Sequence, residues 1–188
     1  YFDFKSPESY LAFHQTQKMS LPDSTRIEWK PFLTKNKKIA LEKDIETKGE
    51  THIRIREEHK KFINLKYSKI VNVPMRYPDE DSQTDLALAI TPHFKKGAEA
   101  YMALAFDYYW NENKNLNTLE VLENLLAKTS LDINILENSD SLIDALKNDT
   151  SAARNAGIIS TPTYQIGDEL FLGREHLPWI QQMLKDQS

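Results

Sequence analysis

The chain has 188 residues, of which 40% are hydrophobic and 28% charged, with a formal net charge of −4 and no cysteine. This composition predicts a folded protein, and the net charge excludes a general attraction to nucleic acid or anionic lipid. No apolar run reaches the roughly 20 residues that cross a bilayer, so we expect a soluble protein. We expect it in the cytoplasm. The absence of cysteine excludes disulfides, thiolate metal sites and a cysteine nucleophile, while a leader segment before Tyr1 is left open.

The opening of the chain predicts a strand, a helix and a second strand. Aromatic residues alternate over 1–4, which is typical of a short strand. Ser6 followed by Pro7 predicts a helix start, because a serine hydroxyl caps the first N–H groups and proline fits the first helical position. The helix is expected to end before Leu21, and renewed alternation predicts a second strand over 27–31.

The middle of the chain is predicted to be mainly helical. Residues 35–65 are polar and are expected to form a loop with one helix, and the spacing of apolar residues over 84–110 predicts two more helices. Further helices are expected to be capped by Thr118 and by Ser139 or Asp140.

The last thirty or so residues predict a β-hairpin and a final helix. Thr163-Tyr164-Gln165-Ile166 and Glu169-Leu170-Phe171-Leu172 are two short apolar runs, separated by the turn dipeptide Gly167-Asp168. Gly157 is expected in the left-handed turn that ends the preceding helix. The order of elements, β-α-β, a helical block and then α-β-β-α, predicts an α/β thioredoxin-like fold with an all-helical insertion. The thioredoxin-like domain is assigned to 1–34 and 150–188, and the insertion to 35–149.

Both ends of the chain carry motifs of a known family. The N-terminal segment resembles the D-x-x-S-P-x-S-Y-L opening of the 2-hydroxychromene-2-carboxylate isomerase and kappa-class glutathione transferase family, in the DsbA-like branch of the thioredoxin superfamily. The C-terminal segment resembles the family's G-[IV]-x-G-x-P stretch and its later F-x-G-x-[DE]-R-L motif. Ser160 and His176 depart from the usual glycine and arginine. The matching residues are Asp3, Ser6, Pro7, Ser9, Tyr10, Leu11, Gly157, Ile158, Pro162, Phe171, Gly173, Glu175 and Leu177.

The resemblance implies glutathione as the cofactor and Ser6 as the catalytic residue that acts on its thiol. A helix N-terminus carries about half a positive charge, which favours a bound thiolate, and a serine hydroxyl that donates to the sulfur lowers the thiol pKa further. From the residues alone, Ser6 is also explained as a simple helix cap. Ser9 is a candidate helper of Ser6, although local backbone bonding is the simpler account.

Four further residues are implied in binding glutathione. In the resembling fold the proline matched by Pro162 is cis, and this is expected to turn the N–H and C=O of Thr161 outward, where they can pair with a peptide-like ligand. Glu175 resembles the acidic residue that holds the γ-glutamyl amino group, and a first-turn carboxylate is the alternative explanation. Arg174, beside it, is assigned to the same cofactor-binding set.

The remaining candidates have ordinary alternatives. The five histidines, His14, His52, His59, His93 and His176, show no metal-ligand spacing, so we expect surface or packed histidines and no metal site. Lys35, Lys37 and Lys38 are candidates for binding carboxylates, against a solvated charge run. Tyr108, Tyr109 and Trp110 are candidates for an apolar substrate slot, although aromatics at helical spacing are more often core.

The resemblance implies a glutathione-dependent isomerase acting on a small aromatic or conjugated substrate, with a homodimer as the expected assembly. By this analogy the glutathione thiolate adds to the substrate, permits rotation about a former double bond and is then expelled. A kappa-like glutathione transferase, which releases a conjugate, is the nearest alternative. A non-catalytic module that grips an extended peptide at Thr161 and Pro162 is a third. A disulfide oxidoreductase is excluded, because it needs a thiolate of its own.

Overall fold

The computed structural model of the protein describes residues 1–35, 46–78, 83–94 and 96–186. Within these residues the chain forms seven α-helices, one β-hairpin and three short 3₁₀ turns. The α-helices are α1 Pro7–Thr16, α2 Lys48–Ile70, α3 Asp85–Ile90, α4 Ala98–Trp110, α5 Leu119–Lys128, α6 Ser139–Asn155 and α7 Leu177–Asp186. The hairpin strands are β1 Thr163–Ile166 and β2 Glu169–Leu172, and the 3₁₀ turns are Thr91–His93, Ile133–Asn138 and Arg174–His176.

Backbone hydrogen bonds extend the hairpin into a sheet of four segments. Tyr1 and Thr163 exchange two hydrogen bonds of 2.8 and 3.1 Å. These bonds place the first segment of the chain, residues 1–4, antiparallel to β1. On the other side Phe2 forms a parallel bridge with Pro31, held by bonds of 3.0 and 2.8 Å to the residues flanking Pro31. The spatial order is therefore the Pro31 segment, the first segment, β1 and β2. This arrangement and the hairpin, whose bounds match the prediction, confirm the thioredoxin-like topology.

The first helix begins where the sequence predicts. Ser6 has an extended backbone, and its Oγ accepts a hydrogen bond of 3.1 Å from the N–H of Ser9. Pro7 takes the first helical position, where its missing N–H removes no helical bond. The helix ends at Thr16, before Leu21 as expected. Its buried apolar residues are Tyr10, Leu11, Ala12 and Phe13.

The helix expected in the polar stretch is α2. It begins with a capping box, in which Thr47 accepts from the N–H of Glu50 at 3.3 Å and Glu50 accepts from the N–H of Thr47 at 2.9 Å. This pattern satisfies two helix-end donors reciprocally. Its buried residues are the polar Asn64 and Ser68. Its exposed residues include Ile53, Ile55, Phe62, Ile63 and Ile70.

Three local predictions need correction. The second strand expected over 27–31 is reduced to the bridge at Pro31, because the first segment pairs with it only through Phe2. Thr118 occupies the N-cap of α5, but its side chain makes no capping hydrogen bond. The N-cap of α6 is Asn138 rather than Ser139 or Asp140, because α6 follows directly from a 3₁₀ turn.

An aromatic cluster joins the helical region to the first segment. The Trp110 ring stacks on Tyr10, with centroids 5.9 Å apart and an interplanar angle of 16°. The Nε1 atom of Trp110 donates a hydrogen bond of 2.8 Å to the carbonyl oxygen of Phe4. Tyr108 and Tyr109 are buried in the same core. These three α4 aromatics are therefore packing residues and not the lining of a substrate slot.

Candidate functional site

Ser6 and Thr161 lie side by side, although 155 positions separate them in the sequence. The Oγ of Ser6 donates a hydrogen bond of 3.4 Å to the carbonyl oxygen of Thr161. Only 7% of Ser6 and 5% of Thr161 is exposed. The Ser6 hydroxyl thus lies where the start of α1 meets the loop before β1.

The Thr161–Pro162 peptide bond is cis, as the resemblance implies. The Thr161 carbonyl, however, faces the Ser6 hydroxyl. The Ser6 hydroxyl thus provides one partner for this carbonyl, and the pairing of the Thr161 N–H and C=O with a peptide-like ligand stays a prediction. The Oγ1 atom of Thr161 is buried and has no hydrogen-bond partner within the described part of the chain. A polar atom left without a partner next to Ser6 is a feature that a bound ligand explains.

Gly173 joins the turn after β2 to the loop that carries Pro162. Its N–H donates a hydrogen bond of 2.9 Å to the carbonyl oxygen of Pro162. Its φ of 100° lies in the region that favours glycine, and a Cβ at this position would lie 2.4 Å from the Glu175 carboxylate. The carboxylate of Glu175 therefore folds back over Gly173, close to Pro162. Glu175 lies in the 3₁₀ turn that precedes α7, one element earlier than predicted.

Arg174 points away from Gly173 toward α2. Its guanidinium carbon lies 3.6 Å from the centroid of the Tyr67 ring. Its Nε is buried and has no hydrogen-bond partner within the described residues. Tyr67 is also hydrogen-bonded through its hydroxyl to the side-chain amide nitrogen of Gln15 on α1. Arg174 is thus placed where α1, α2 and the turn after β2 meet.

Asp3 is a buried carboxylate that the sequence identified only as a motif match. It is fully buried, and burial raises the pKa of its carboxyl group above the ordinary value, against lowering by nearby Lys5 and by hydrogen bonds. Oδ2 accepts from the N–H and hydroxyl of Thr34, at 2.9 and 2.5 Å. Oδ1 accepts from the N–H of Lys5 and the hydroxyl of Thr84, both at 3.2 Å. Asp3 therefore ties the turn that precedes Ser6 to two other segments.

The first turn of α1 carries one carboxylate of its own. Glu8 accepts a hydrogen bond of 3.2 Å from the side-chain amide of Asn64 on α2. The Oγ of Ser9 accepts a hydrogen bond of 3.4 Å from the N–H of Asp3. Ser9 thus bonds the local backbone, and its assistance to Ser6 stays a prediction. The dipole of α1 favours negative charge beside Ser6, and this field suits an anion or thiolate held at the helix N-terminus.

The remaining predicted candidates lie elsewhere. His14 packs against Tyr10, with ring centroids 4.9 Å apart, and burial, assisted by Lys18, lowers its pKa. His176 packs against Phe171 at 5.9 Å. The other three histidines, His52, His59 and His93, are exposed. Surface or packed histidines are thus confirmed. Lys35 is the last residue described before a gap, and Lys37 and Lys38 lie outside the described residues.

A cavity of about 460 Å³ lies between the sheet and helices α1 and α7. Its lining includes Ser9, Pro162, Leu21 and Gly167, and it does not include Ser6 or Thr161. Residues 25–30 and 162–167, which lie on opposite sides of the N-terminal segment in the sheet, form much of its wall. We therefore assign this cavity to the space between the sheet and the two helices, and not to the Ser6 site.

The described residues contain neither a cluster of metal-ligand side chains nor a helix suited to a membrane. No group of three or more His, Cys, Asp or Glu side chains gathers there as metal ligands. None of the helices described is both long and apolar enough to cross a membrane.

Comparison with known proteins decides the family. The model of the DSBA-like thioredoxin domain family matches residues 1–185. The chain belongs to the DsbA-like thioredoxin family. This DsbA-like protein is 23% identical over 186 residues to the 2-hydroxychromene-2-carboxylate isomerase of Pseudomonas putida, a match that covers 94% of this chain and 88% of the relative.

A solved structure shows the same fold. The selenomethionine form of a 2-hydroxychromene-2-carboxylate isomerase superposes with a TM-score of 0.77 at 19% sequence identity, covering 100% of this chain and 93% of the other. The resemblance drawn from the two terminal motifs is thereby confirmed, as is the thioredoxin-like fold with its helical block.

Proposed function

We propose that this DsbA-like protein is a glutathione-dependent isomerase in which Ser6 stabilises the glutathione thiolate. The observation that carries the proposal is the position of the Ser6 hydroxyl, at the N-cap of α1 and within 3.4 Å of the Thr161 carbonyl. The full-length similarity to a protein named 2-hydroxychromene-2-carboxylate isomerase supports the reaction class. When bound, glutathione supplies the thiolate nucleophile that a chain without cysteine lacks.

The residues around Ser6 fit this tripeptide. The buried, unpartnered Oγ1 of Thr161 is available to a polar ligand group. Glu175, folded over Gly173 beside Pro162, offers a carboxylate to the γ-glutamyl ammonium group. Arg174 offers a guanidinium without an ionic partner in the described residues to a carboxylate. A polar atom and a carboxylate thus lie on the side of Ser6 that faces the cis-proline loop, and the cation of Arg174 lies farther along α1, beside Tyr67.

Ser6 acts on the thiolate through its hydroxyl hydrogen. In the structure this hydrogen is directed at the Thr161 carbonyl over 3.4 Å, a long and therefore weak hydrogen bond. Rotation about the Cβ–Oγ bond redirects this hydrogen to a sulfur at the helix N-terminus, while Oγ stays in place and keeps its bond from the N–H of Ser9. Donation to the charged form, together with the helix dipole, lowers the thiol pKa.

The substrate we propose is a small aromatic or conjugated molecule. We further propose a cytoplasmic homodimer, by analogy with the same family. Sedimentation of the purified chain at several concentrations tests the dimer: a mass of one chain throughout contradicts it.

Calorimetry with glutathione tests the cofactor. We expect saturable binding by the wild type and weaker binding by Ser6→Ala. Thr47→Ala is the matched control, because it removes the cap of α2 at an exposed, remote position. Both variants lose a helix cap worth about 1 kcal/mol, so only a loss confined to Ser6→Ala identifies a ligand contact. The absence of binding at millimolar glutathione in the wild type would sink the proposal.

Turnover distinguishes the isomerase from the transferase. An isomerase returns all of its glutathione, so free thiol measured before and after complete conversion of a conjugated aromatic substrate should be unchanged. A transferase consumes one equivalent for each substrate converted. Consumption of thiol would replace the isomerase with a kappa-like transferase while leaving the Ser6 site intact.

A further inference from the structure

Arg174 is a partly buried cation whose charge the described residues leave uncompensated. None of the ion pairs among these residues includes it. Arg154, which is also half-buried, is instead bonded through Nη2 to the carbonyl oxygen of Leu33. The Nε of Arg174 is buried and unpaired, which is costly for a charged donor unless something else binds it.

A second polar atom in the same neighbourhood also lacks a partner. The side-chain nitrogen of Gln15 bonds the hydroxyl of Tyr67, on whose ring Arg174 stacks, and the Oε1 of Gln15 is buried and unpaired. A half-turn of the Gln15 amide exchanges its oxygen and nitrogen and presents two N–H donors there. Buried polar groups are nearly always paired, so unpartnered atoms on two residues that both contact Tyr67 are a feature that a bound ligand explains.

The groups around Arg174 include one carboxylate, a neutral phenol and, through Gln15, the wall of a cavity. The carboxylate of Glu175 folds back over Gly173. Tyr164 is close by and stays neutral, since burial raises its pKa to about 12. Gln15 also lines a cavity of about 300 Å³ between α1, the end of α2 and the start of α7, and Lys18 lies in its wall. Gln15, which Tyr67 links to Arg174, therefore opens onto a cavity whose wall carries the cation of Lys18.

We propose that Arg174, stacked on Tyr67 and assisted by Gln15, forms a subsite that binds a ligand carboxylate. A guanidinium fixed on an aromatic ring offers parallel N–H donors that match the two oxygens of a carboxylate. The proposal of an anion site depends only on this geometry. Its assignment to a carboxylate of glutathione or of the second substrate rests on the proposed function.

The separation between Ser6 and Gln15 allows a carboxylate of either glutathione or the second substrate to reach Arg174. Gln15 lies nine residues beyond Ser6 on α1, which corresponds to roughly 13–14 Å along a helix axis. An extended tripeptide spans about 10–11 Å, and long side chains shorten the gap from either end. One carboxylate of glutathione can therefore approach Arg174, and so can the carboxylate of a substrate bound beside it.

The test uses the full chain and three probes: glutathione, its glycyl monoethyl ester, and benzoate with benzamide as the uncharged analogue. Arg174→Gln removes the cation. Arg174→Lys keeps the charge but loses the parallel N–H donors of the guanidinium. Arg56→Gln, on the exposed face of α2, removes the same charge elsewhere. We expect Arg174→Gln to weaken binding of the relevant carboxylate by about tenfold or more, Arg174→Lys to restore it only in part, and Arg56→Gln to leave it unchanged.

The probes separate the sources. Weaker binding of glutathione but not of its ester assigns the subsite to the glycyl carboxylate. Weaker binding of benzoate but not of benzamide, in the presence or absence of glutathione, assigns it to the second substrate. A structural role for Arg174 would weaken charged and uncharged probes equally and would overturn the proposal, as would unchanged binding of every carboxylate. If the wild type binds benzoate through Arg174 and never binds glutathione, the proposed function fails while the subsite stands.

Discussion

The indole N–H of Trp110 is bonded at 2.8 Å to the carbonyl oxygen of Phe4, so the last turn of α4 holds the backbone two residues before Ser6. The helical block therefore supports the candidate site through a buried hydrogen bond as well as through packing. Phe4 and Trp110 are almost fully buried, so water has little access to either partner.

Trp110→Phe should lower the free energy of unfolding by about 2–4 kcal/mol, because a buried carbonyl loses its donor and the smaller ring leaves a void. Trp29→Phe is the control, since the Nε1 of Trp29 donates to the exposed carboxylate of Glu99 at 3.1 Å. Urea unfolding of both variants measures the difference. Equal losses would mean that the bond to Phe4 contributes nothing specific.

Asp3 predicts a pH dependence with a definite sign. Folding raises the pKa of this carboxyl group by burial, so the folded state holds its proton more tightly than the unfolded chain, whose aspartate pKa is about 3.9. The free energy of unfolding should therefore fall as pH rises from about 4 through the raised pKa. Asp3→Asn should flatten this slope, and should cost about 1–3 kcal/mol at neutral pH, because an amide cannot accept from all four donors.

Denaturant unfolding across the acid range measures the slope. The exposed Asp23→Asn provides the control, and it should keep the wild-type slope in this pH window. An Asp3→Asn protein with the same slope as the wild type would show that another group is responsible.

Gly173 and Gly167 form a matched pair for testing Glu175. Both have positive φ, of 100° and 58°, so alanine should cost about 1–2 kcal/mol at each. Only at Gly173 does the added Cβ meet the Glu175 carboxylate; at Gly167 nothing lies within 4 Å. Gly173→Ala should therefore displace Glu175 and weaken glutathione binding, while Gly167→Ala should not. Calorimetry alongside thermal melting checks this, and equal affinities in the two variants would remove Glu175 from the binding site.

Local signals explain what the sequence predicts well. The Ser6-Pro7 start of α1 and the Gly167-Asp168 turn of the hairpin are each fixed by neighbouring residues, because capping and turn chemistry act over a few positions. The α2 helix is harder to place. Its buried residues are Asn64 and Ser68, while isoleucines and a phenylalanine are exposed, so apolar periodicity does not reveal its packed face. The Thr47-x-x-Glu50 capping box was the available signal.

The site depends on contacts that no local pattern reveals. Ser6 meets Thr161 across 155 positions, and only the family resemblance predicted that meeting. The partners of Asp3, at Thr34 and Thr84, come from two further segments. The stack of Arg174 on Tyr67 joins a turn to a distant helix, and neither residue type indicates the other.

The most direct test of the account is the pKa of the thiol of bound glutathione, followed by the ultraviolet absorbance of the thiolate against pH in the wild type and in Ser6→Ala. The account predicts a thiol pKa well below its value for free glutathione in the wild type, and a higher value in Ser6→Ala, since the variant loses the donor to the charged sulfur. Thr47→Ala should match the wild type. A bound thiol with the same pKa in wild type and Ser6→Ala would contradict the central claim that Ser6 stabilises the thiolate.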